Sequence, residues 1–80
     1  MSAYRVRFER IGRARGLMTW EGEARDAAHL AEQVYRFAKP RIISKYFEVT
    51  VDIDAGRCWI DGGRFGEGEI TRVTPHDGGA

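Results

Sequence analysis

The side chains in this sequence that could carry chemistry begin with its one cysteine. Cys58 could act as a nucleophile with His29 as its general base, the arrangement that acyl transfer requires. His29, however, falls on the polar side of a predicted helix, whereas Cys58 falls inside a predicted strand beside Trp59. No neighbour in the sequence favours the thiolate form of this cysteine. We therefore expect a structural cysteine and no catalytic residues, and a lone cysteine excludes an internal disulfide.

Carboxylates and a glycine-rich segment are the candidates for a metal or phosphate site. Asp52, Asp54 and Asp61 could hold a divalent cation, but no phosphate-binding loop accompanies them, and Asp54 suits a turn before Gly56. The glycine-rich segment 62–68 could form an anion-binding nest. It lacks the Gly-Lys-Ser/Thr ending of a nucleotide-binding loop, which favours a wide connection between two strands. We expect no metal and no cofactor.

Basic residues are grouped in two blocks, although the formal net charge is only +1. Residues 1–15 hold five arginines against one glutamate, and residues 35–45 hold four basic residues and no acid. Such blocks could contact the phosphates of nucleic acid, with Tyr4, Tyr35 or Tyr46 stacking on bases. A pI near 7.9 is low for a dedicated nucleic-acid domain, so a solvated charged face is the alternative. The candidate contacts for nucleic acid or another partner are Arg5, Arg7, Arg13, Arg15, Arg36, Lys39, Arg41 and Lys45.

Strands are predicted on both sides of a central helix. Tyr4, Val6 and Phe8 alternate with charged residues, which is the two-residue period of a half-buried strand. The arginine-bearing segment 12–16, bracketed by glycines, is expected to form the loop of an N-terminal hairpin. The predicted strands cover residues 4–8, 17–21, 47–53, 57–61 and 69–73, of which the last is the least marked.

The helix is predicted by its capping residue, its apolar stripe and its end. Asp26 can accept a backbone N–H of the first turn, and Pro40 disfavours the helical conformation at Lys39. Glu32 and Arg36 are spaced to form an ion pair on the polar side. The apolar stripe comprises Ala27, Leu30, Ala31, Val34, Phe37 and Ala38.

These elements predict a single α+β domain over residues 1–75 with the order ββαββ(β), followed by a flexible tail over residues 76–80. One amphipathic helix would pack on one face of a sheet of four or five strands, arranged as a β-grasp or as an antiparallel meander. A content of 42% hydrophobic and 31% charged residues is ordinary for a globular domain. No apolar run suggests a membrane span, no leader is recognisable, and one cysteine fits a reducing cytoplasm.

Two resemblances add to this interpretation. The strand–strand–helix–strand order followed by Gly78-Gly79 resembles the ubiquitin and sulfur-carrier family, which implies the β-grasp fold. Carrier chemistry would need removal of Ala80, so only the fold is taken from this resemblance. In composition, with far more arginine than lysine, the chain is similar to short uncharacterised proteins of actinobacterial mobile elements and phages.

The function expected from these observations is binding rather than catalysis. We expect a small non-enzymatic module that docks onto another protein or onto a second copy, with a nucleic-acid accessory protein as the alternative and a thiol enzyme as the third possibility. One candidate surface is the face of Arg5 and Arg7 with the segment 12–16. The other is the edge formed by Trp59, Arg64 and Phe65.

Overall fold

A five-stranded antiparallel sheet with an α-helix on one face is the fold of residues 2–73, the part of the chain that the computed structural model describes. Short 3-10 turns lie at Lys39–Arg41 and Asp61–Gly63. The strand order in the sheet is β2-β1-β5-β4-β3, so the predicted α+β fold is confirmed. The elements are β1 (Ser2–Ile11), β2 (Ala14–Ala24), α1 (Ala27–Ala38), β3 (Val49–Asp52), β4 (Arg57–Ile60) and β5 (Gly66–Val73).

The N-terminal hairpin is tighter than predicted. Its turn consists of Gly12 and Arg13 alone, because Ile11 already pairs with Ala14, so the expected loop over residues 12–16 was wrong. Gly12 has a φ of +60°, which the first central residue of a tight hairpin turn often requires. β2 therefore begins at Ala14, earlier than the predicted strand, and extends over 11 residues.

β5 is longer than predicted and lies near the centre of the sheet, between β1 and β4. It begins at Gly66 and includes Gly68, so the expected wide connection over residues 62–68 was too long. A Cβ on Gly68 would lie 2.6 Å from both Cys58 Sγ and Phe8 Cε1, which explains glycine within this strand. β3, in contrast, is only four residues long and excludes Phe47 and Ile53.

The helix matches its prediction at both ends. Asp26 caps it by accepting the backbone N–H of His29 at 2.8 Å, and Lys39 is the C-cap before Pro40. The predicted ion pair between Arg36 and Glu32 is present at 2.9 Å. The fully buried residues of the helix belong to the predicted stripe and are Leu30, Val34 and Ala38.

The core lies between α1 and one face of the sheet. Phe8, 1% exposed, stacks on Phe37 of the helix with a centroid distance of 6.3 Å. Trp20 packs against this core from β2. Trp59 instead lies on the opposite, open face of the sheet, because it alternates with the buried Cys58.

None of the helices within residues 2–73 is both long and apolar enough to cross a membrane. The predicted tail over residues 76–80, including Gly78-Gly79, lies outside the described residues.

Candidate functional site

The cysteine and the histidine that could have formed a nucleophile–base pair do not form one, because the cysteine is buried in the core and the histidine bonds to groups at the start of the helix. Cys58 is 0% exposed in the core. Both ring nitrogens of His29 contact groups near its own helix: Nδ1 accepts the backbone N–H of Arg25 at 3.0 Å, and Nε2 lies 2.9 Å from the side-chain amide of Gln33. His29 thus reinforces the start of the helix together with its cap.

Burial raises the pKa of the Cys58 thiol from 9.0 to about 12, a shift opposed by a hydrogen bond with the backbone of Gly68 and supported by the charge of Glu67. The raised pKa disfavours the thiolate, which is the nucleophilic form. Cys58 therefore has the environment of a structural cysteine.

The raised thiol pKa predicts a loss of stability at high pH. An unfolded thiol ionises near 9.0 but the folded one near 12, so its contribution is complete below pH 9 and is lost as pH rises towards 12. Denaturant titrations should show the free energy of unfolding falling by roughly 1 kcal/mol more in the wild type than in Cys58→Ala between about pH 8 and pH 10. Equal pH dependence of the two proteins would contradict this environment for the thiol.

The carboxylates in and next to the third and fourth strands act in turns and ion pairs. Asp52, rather than the expected Asp54, begins the turn, since its Oδ1 accepts the backbone N–H of Ala55 at 3.0 Å. Asp61 lies near Arg64, with 3.8 Å between Oδ2 and Nη1. Within residues 2–73, no group of three or more His, Cys, Asp or Glu side chains is placed to hold a metal ion.

The open face of the sheet carries both positive and negative side chains and is not a basic surface. Arg5 pairs with Glu21 at 2.5 Å, Arg57 pairs with Glu67, and Arg7 lies in register with Glu69. The concave part of this face is accordingly lined by both signs of charge. The two signs of charge are nearly balanced on this face, with Arg5, Arg7, Arg10, Arg15 and Arg57 beside Glu9, Glu21, Glu23, Asp52, Glu67 and Glu69.

The other predicted basic contacts are dispersed. Arg36 pairs with Glu32 on the exposed side of the helix, and the ammonium of Lys39 lies 5.8 Å from the ring centroid of Tyr35. Arg15 extends from β2 in register with Arg10. Lys45 is exposed in the segment before β3. Arg15 shares the open face of the sheet with Arg5 and Arg7, whereas Arg36 and Lys39 belong to the helix and its C-terminal end, so the predicted basic contacts do not form one patch.

A smaller groove, here called the arginine groove, does concentrate positive charge. It has a volume of about 360 Å³ and is formed by three parts of the chain: the β1–β2 turn, the segment after the helix, and the residues just before β5. Four guanidinium groups and no carboxylate line it. Its lining residues are Arg10, Gly12, Arg13, Arg41, Ile42, Ile43, Ser44, Arg64 and Phe65.

Hydrogen bonds of the backbone and of two arginines fix the walls of this groove. Gly12 donates its N–H to the carbonyl of Phe65 at 2.7 Å, which joins the hairpin turn to the start of β5. Arg10 donates to the carbonyls of Gly12 at 3.1 Å and Arg64 at 3.0 Å. Arg41 donates to the carbonyl of Phe37 at 2.7 Å. These bonds hold the guanidinium groups of Arg10 and Arg41 in place before any ligand arrives.

Arg13 and Arg64 supply the more available charges of the groove. Both are exposed. Arg13 makes no hydrogen bond or ion pair with another residue between 2 and 73, and Arg64 has a long contact of 3.8 Å with Asp61. The guanidinium of Arg64 lies 5.2 Å from the ring centroid of Phe65. Ile43, 81% exposed, adds an apolar wall. The groove therefore presents guanidinium donors beside apolar surface, which suits a ligand with both carboxylates and an apolar group.

The expected surface of Trp59, Arg64 and Phe65 is divided by the sheet. Arg64 and Phe65 line the arginine groove and Phe65 packs against the core, whereas Trp59 lies on the open face in register with Glu67. Of the predicted basic contacts, the groove brings together Arg13 and Arg41.

Sequence reasoning overlooked Arg10, Ile42, Ile43 and Ser44 of the groove, of which Arg10 and Ile43 matter most. Arg10 was counted within the basic N-terminal block but was not singled out, because only the tertiary structure brings it next to the carbonyls of Gly12 and Arg64. Ile43 follows the helix-ending proline and has no strand or helix period around it. The pair of apolar residues Ile42 and Ile43 within a polar segment was the signal that could have indicated it.

Comparison with known proteins gives no matching family model, no similar curated protein and no similar solved structure. The class of protein defined by the fold is thus a small α+β domain, and its groove is the basis for a functional assignment.

Proposed function

We propose that this chain is a small, non-catalytic cytoplasmic binding module that docks onto an acidic segment of a partner protein through the arginine groove. The observation that carries this proposal is the convergence of four guanidinium groups with no carboxylate in one groove. Arginine binds carboxylates through paired, charge-assisted hydrogen bonds. The buried, unpaired thiol of Cys58 supports a reducing compartment.

A protein partner fits the surroundings of the groove better than a nucleic acid does. The adjacent open face carries nearly equal numbers of arginines and carboxylates, and two of its arginines, Arg5 and Arg57, are already paired with glutamates, so it offers a phosphate backbone that extends beyond the groove little net attraction. A short peptide can instead remain within the groove. The exposed Ile43 and the half-buried Phe65 offer contacts for an apolar side chain of that peptide.

Fluorescence anisotropy with a labelled peptide of alternating glutamate and leucine tests the proposal. Arg13→Ala/Arg64→Ala should weaken binding about 10-fold or more, because each lost charge-assisted hydrogen bond is worth about 1.5–3 kcal/mol. The matched control is Arg7→Ala/Arg36→Ala, which removes the same charge outside the groove and should change binding less than about 3-fold. Equal losses in the two variants, or no binding to the wild type at low salt, would contradict the proposal.

Single-stranded nucleic acid is the second candidate, and Tyr46 is the observation that favours it. Tyr46 is 87% exposed and follows Ser44 of the groove, whose hydroxyl donates to the Tyr46 carbonyl at 2.9 Å. An exposed aromatic ring beside guanidinium groups can stack on a base. With labelled oligothymidylate as the probe, Tyr46→Ala should weaken binding about 5-fold or more if this candidate holds, while leaving peptide binding unchanged.

A further inference from the structure

Strand β2 forms one edge of the sheet and is unusually long for that position. It extends over 11 residues and pairs with β1 on one side, and it has no strand on its other side among residues 2–73. Its outward-directed N–H and C=O groups can therefore pair with a further strand. The opposite edge, β3, is only four residues long. β2 is thus the edge that offers the larger backbone surface for association.

β2 lacks several of the usual protections of an edge strand, and its charged residues are confined to the open-face row. The strand contains no proline and no lysine, and its core-facing row carries no charge. The register irregularity in its pairing with β1 lies near the turn, between Phe8 and Arg10, and leaves the stretch from Met18 to Ala24 regular. That regular stretch contains Thr19, which is exposed on the open face.

The charges along β2 are complementary to those of a second, antiparallel copy. The row on the open face reads, from start to end, Arg15, Leu17, Thr19, Glu21 and Glu23. A two-fold axis at Thr19 places Arg15 opposite Glu23 of the second copy and Leu17 opposite Glu21. It also places Met18 opposite Trp20 on the core-facing row. A parallel arrangement would instead align like charges, which destabilises a strand pair.

We propose that the protein forms a homodimer by antiparallel pairing of β2 with β2 of a second copy, centred on Thr19. The two sheets then form one continuous sheet, with the helices of both copies on the same face. The turns at Gly12 lie near opposite ends of the paired strands. About twelve residues of strand separate their Arg13 positions, a distance of roughly 40 Å. The dimer therefore displays two arginine grooves far enough apart to be occupied independently. This inference does not depend on what the groove binds.

Charge reversal tests the dimer by sedimentation velocity on the full chain. The wild type should show concentration-dependent dimerisation. Arg15→Glu and Glu23→Arg should each weaken it about 10-fold or more, because both symmetry-related pairs become like-charged. The double variant R15E/E23R, and an equimolar mixture of the two single variants, should restore it. A wild type that remains monomeric over its soluble range, or single variants that dimerise like the wild type, would overturn the proposal.

A cysteine scan establishes the register independently. Thr19→Cys should form an intermolecular disulfide under mild oxidation, because the two residues face each other across the axis. Arg36→Cys, on the exposed side of the helix, is the matched control and should not. Wild-type Cys58 is buried and provides no background. Equal cross-linking of both variants would reject β2 as the interface.

Discussion

Gly66→Ala should reduce the free energy of unfolding by about 3 kcal/mol or more, as a result of overpacking and backbone strain together. A Cβ on Gly66 would overlap the carbonyl oxygen of Arg10 and lie 3.4 Å from its carbonyl carbon. These are backbone atoms, which cannot move aside as the end of a flexible side chain can. Gly66 also has a φ of +151°, a conformation that L residues rarely adopt. A loss of this size is a large part of the stability of an 80-residue domain, about 4–12 kcal/mol.

Urea denaturation followed by circular dichroism measures this loss, with Gly62→Ala as the matched control. Gly62 has a φ of +67°, but no atom lies within 4 Å of the position that a Cβ would take. Its replacement by alanine should therefore cost only the backbone strain of that φ, about 1–2 kcal/mol. The difference in unfolding free energy between the two variants therefore measures the cost of the overlap between the new Cβ at the start of β5 and the backbone at the end of β1. Equal losses would show that this approach does not constrain the fold.

The same substitution has a consequence for the groove. Arg10 lies at the contact with Gly66, and its guanidinium bridges the carbonyls of Gly12 and Arg64. Displacing the Arg10 backbone would separate the hairpin turn from the residues before β5. Gly66→Ala should therefore weaken peptide binding even under conditions in which the variant remains folded, whereas Gly62→Ala should not.

Phe8→Ala should destabilise the protein by about 3–5 kcal/mol. Phe8 is 1% exposed, stacks on Phe37 and fills the space that Gly68 leaves above β5. Its removal leaves a cavity between helix and sheet that neither element can close alone. For a domain of this size, each kcal/mol lowers Tm by about 4–8 °C, so differential scanning calorimetry should show a fall of roughly 12 °C or more.

Tyr46→Ala is the matched aromatic control for the core variant. Its ring is 87% exposed, so its removal should change stability by no more than about 0.5 kcal/mol. Phe8→Leu should fall between the two, because it retains most of the buried volume. A Phe8→Ala protein as stable as Tyr46→Ala would show that the helix does not pack on this face of the sheet.

The local elements could be predicted because their signals are local. Asp26 and Pro40 mark the ends of the helix through bonds and clashes within one turn of chain. The alternation of Tyr4, Val6 and Phe8 indicates which side of β1 is buried, and this indication does not depend on which strands pair with β1. Glycines were less informative, since Gly66 and Gly68 looked like loop residues but lie in a central strand where side chains would collide.

The sequence by itself determined the fold class, the helix, and the apolar faces of β1 and β2, because side-chain period depends only on backbone geometry. The tertiary structure alone decided which arginines remain available. Arg5 meets Glu21 across β1 and β2, and the charge of Arg5 is thereby offset. Arg13 and Arg64, far apart in the chain, meet in one groove. Charge pairing depends on distance in space, and the strand order β2-β1-β5-β4-β3 sets those distances.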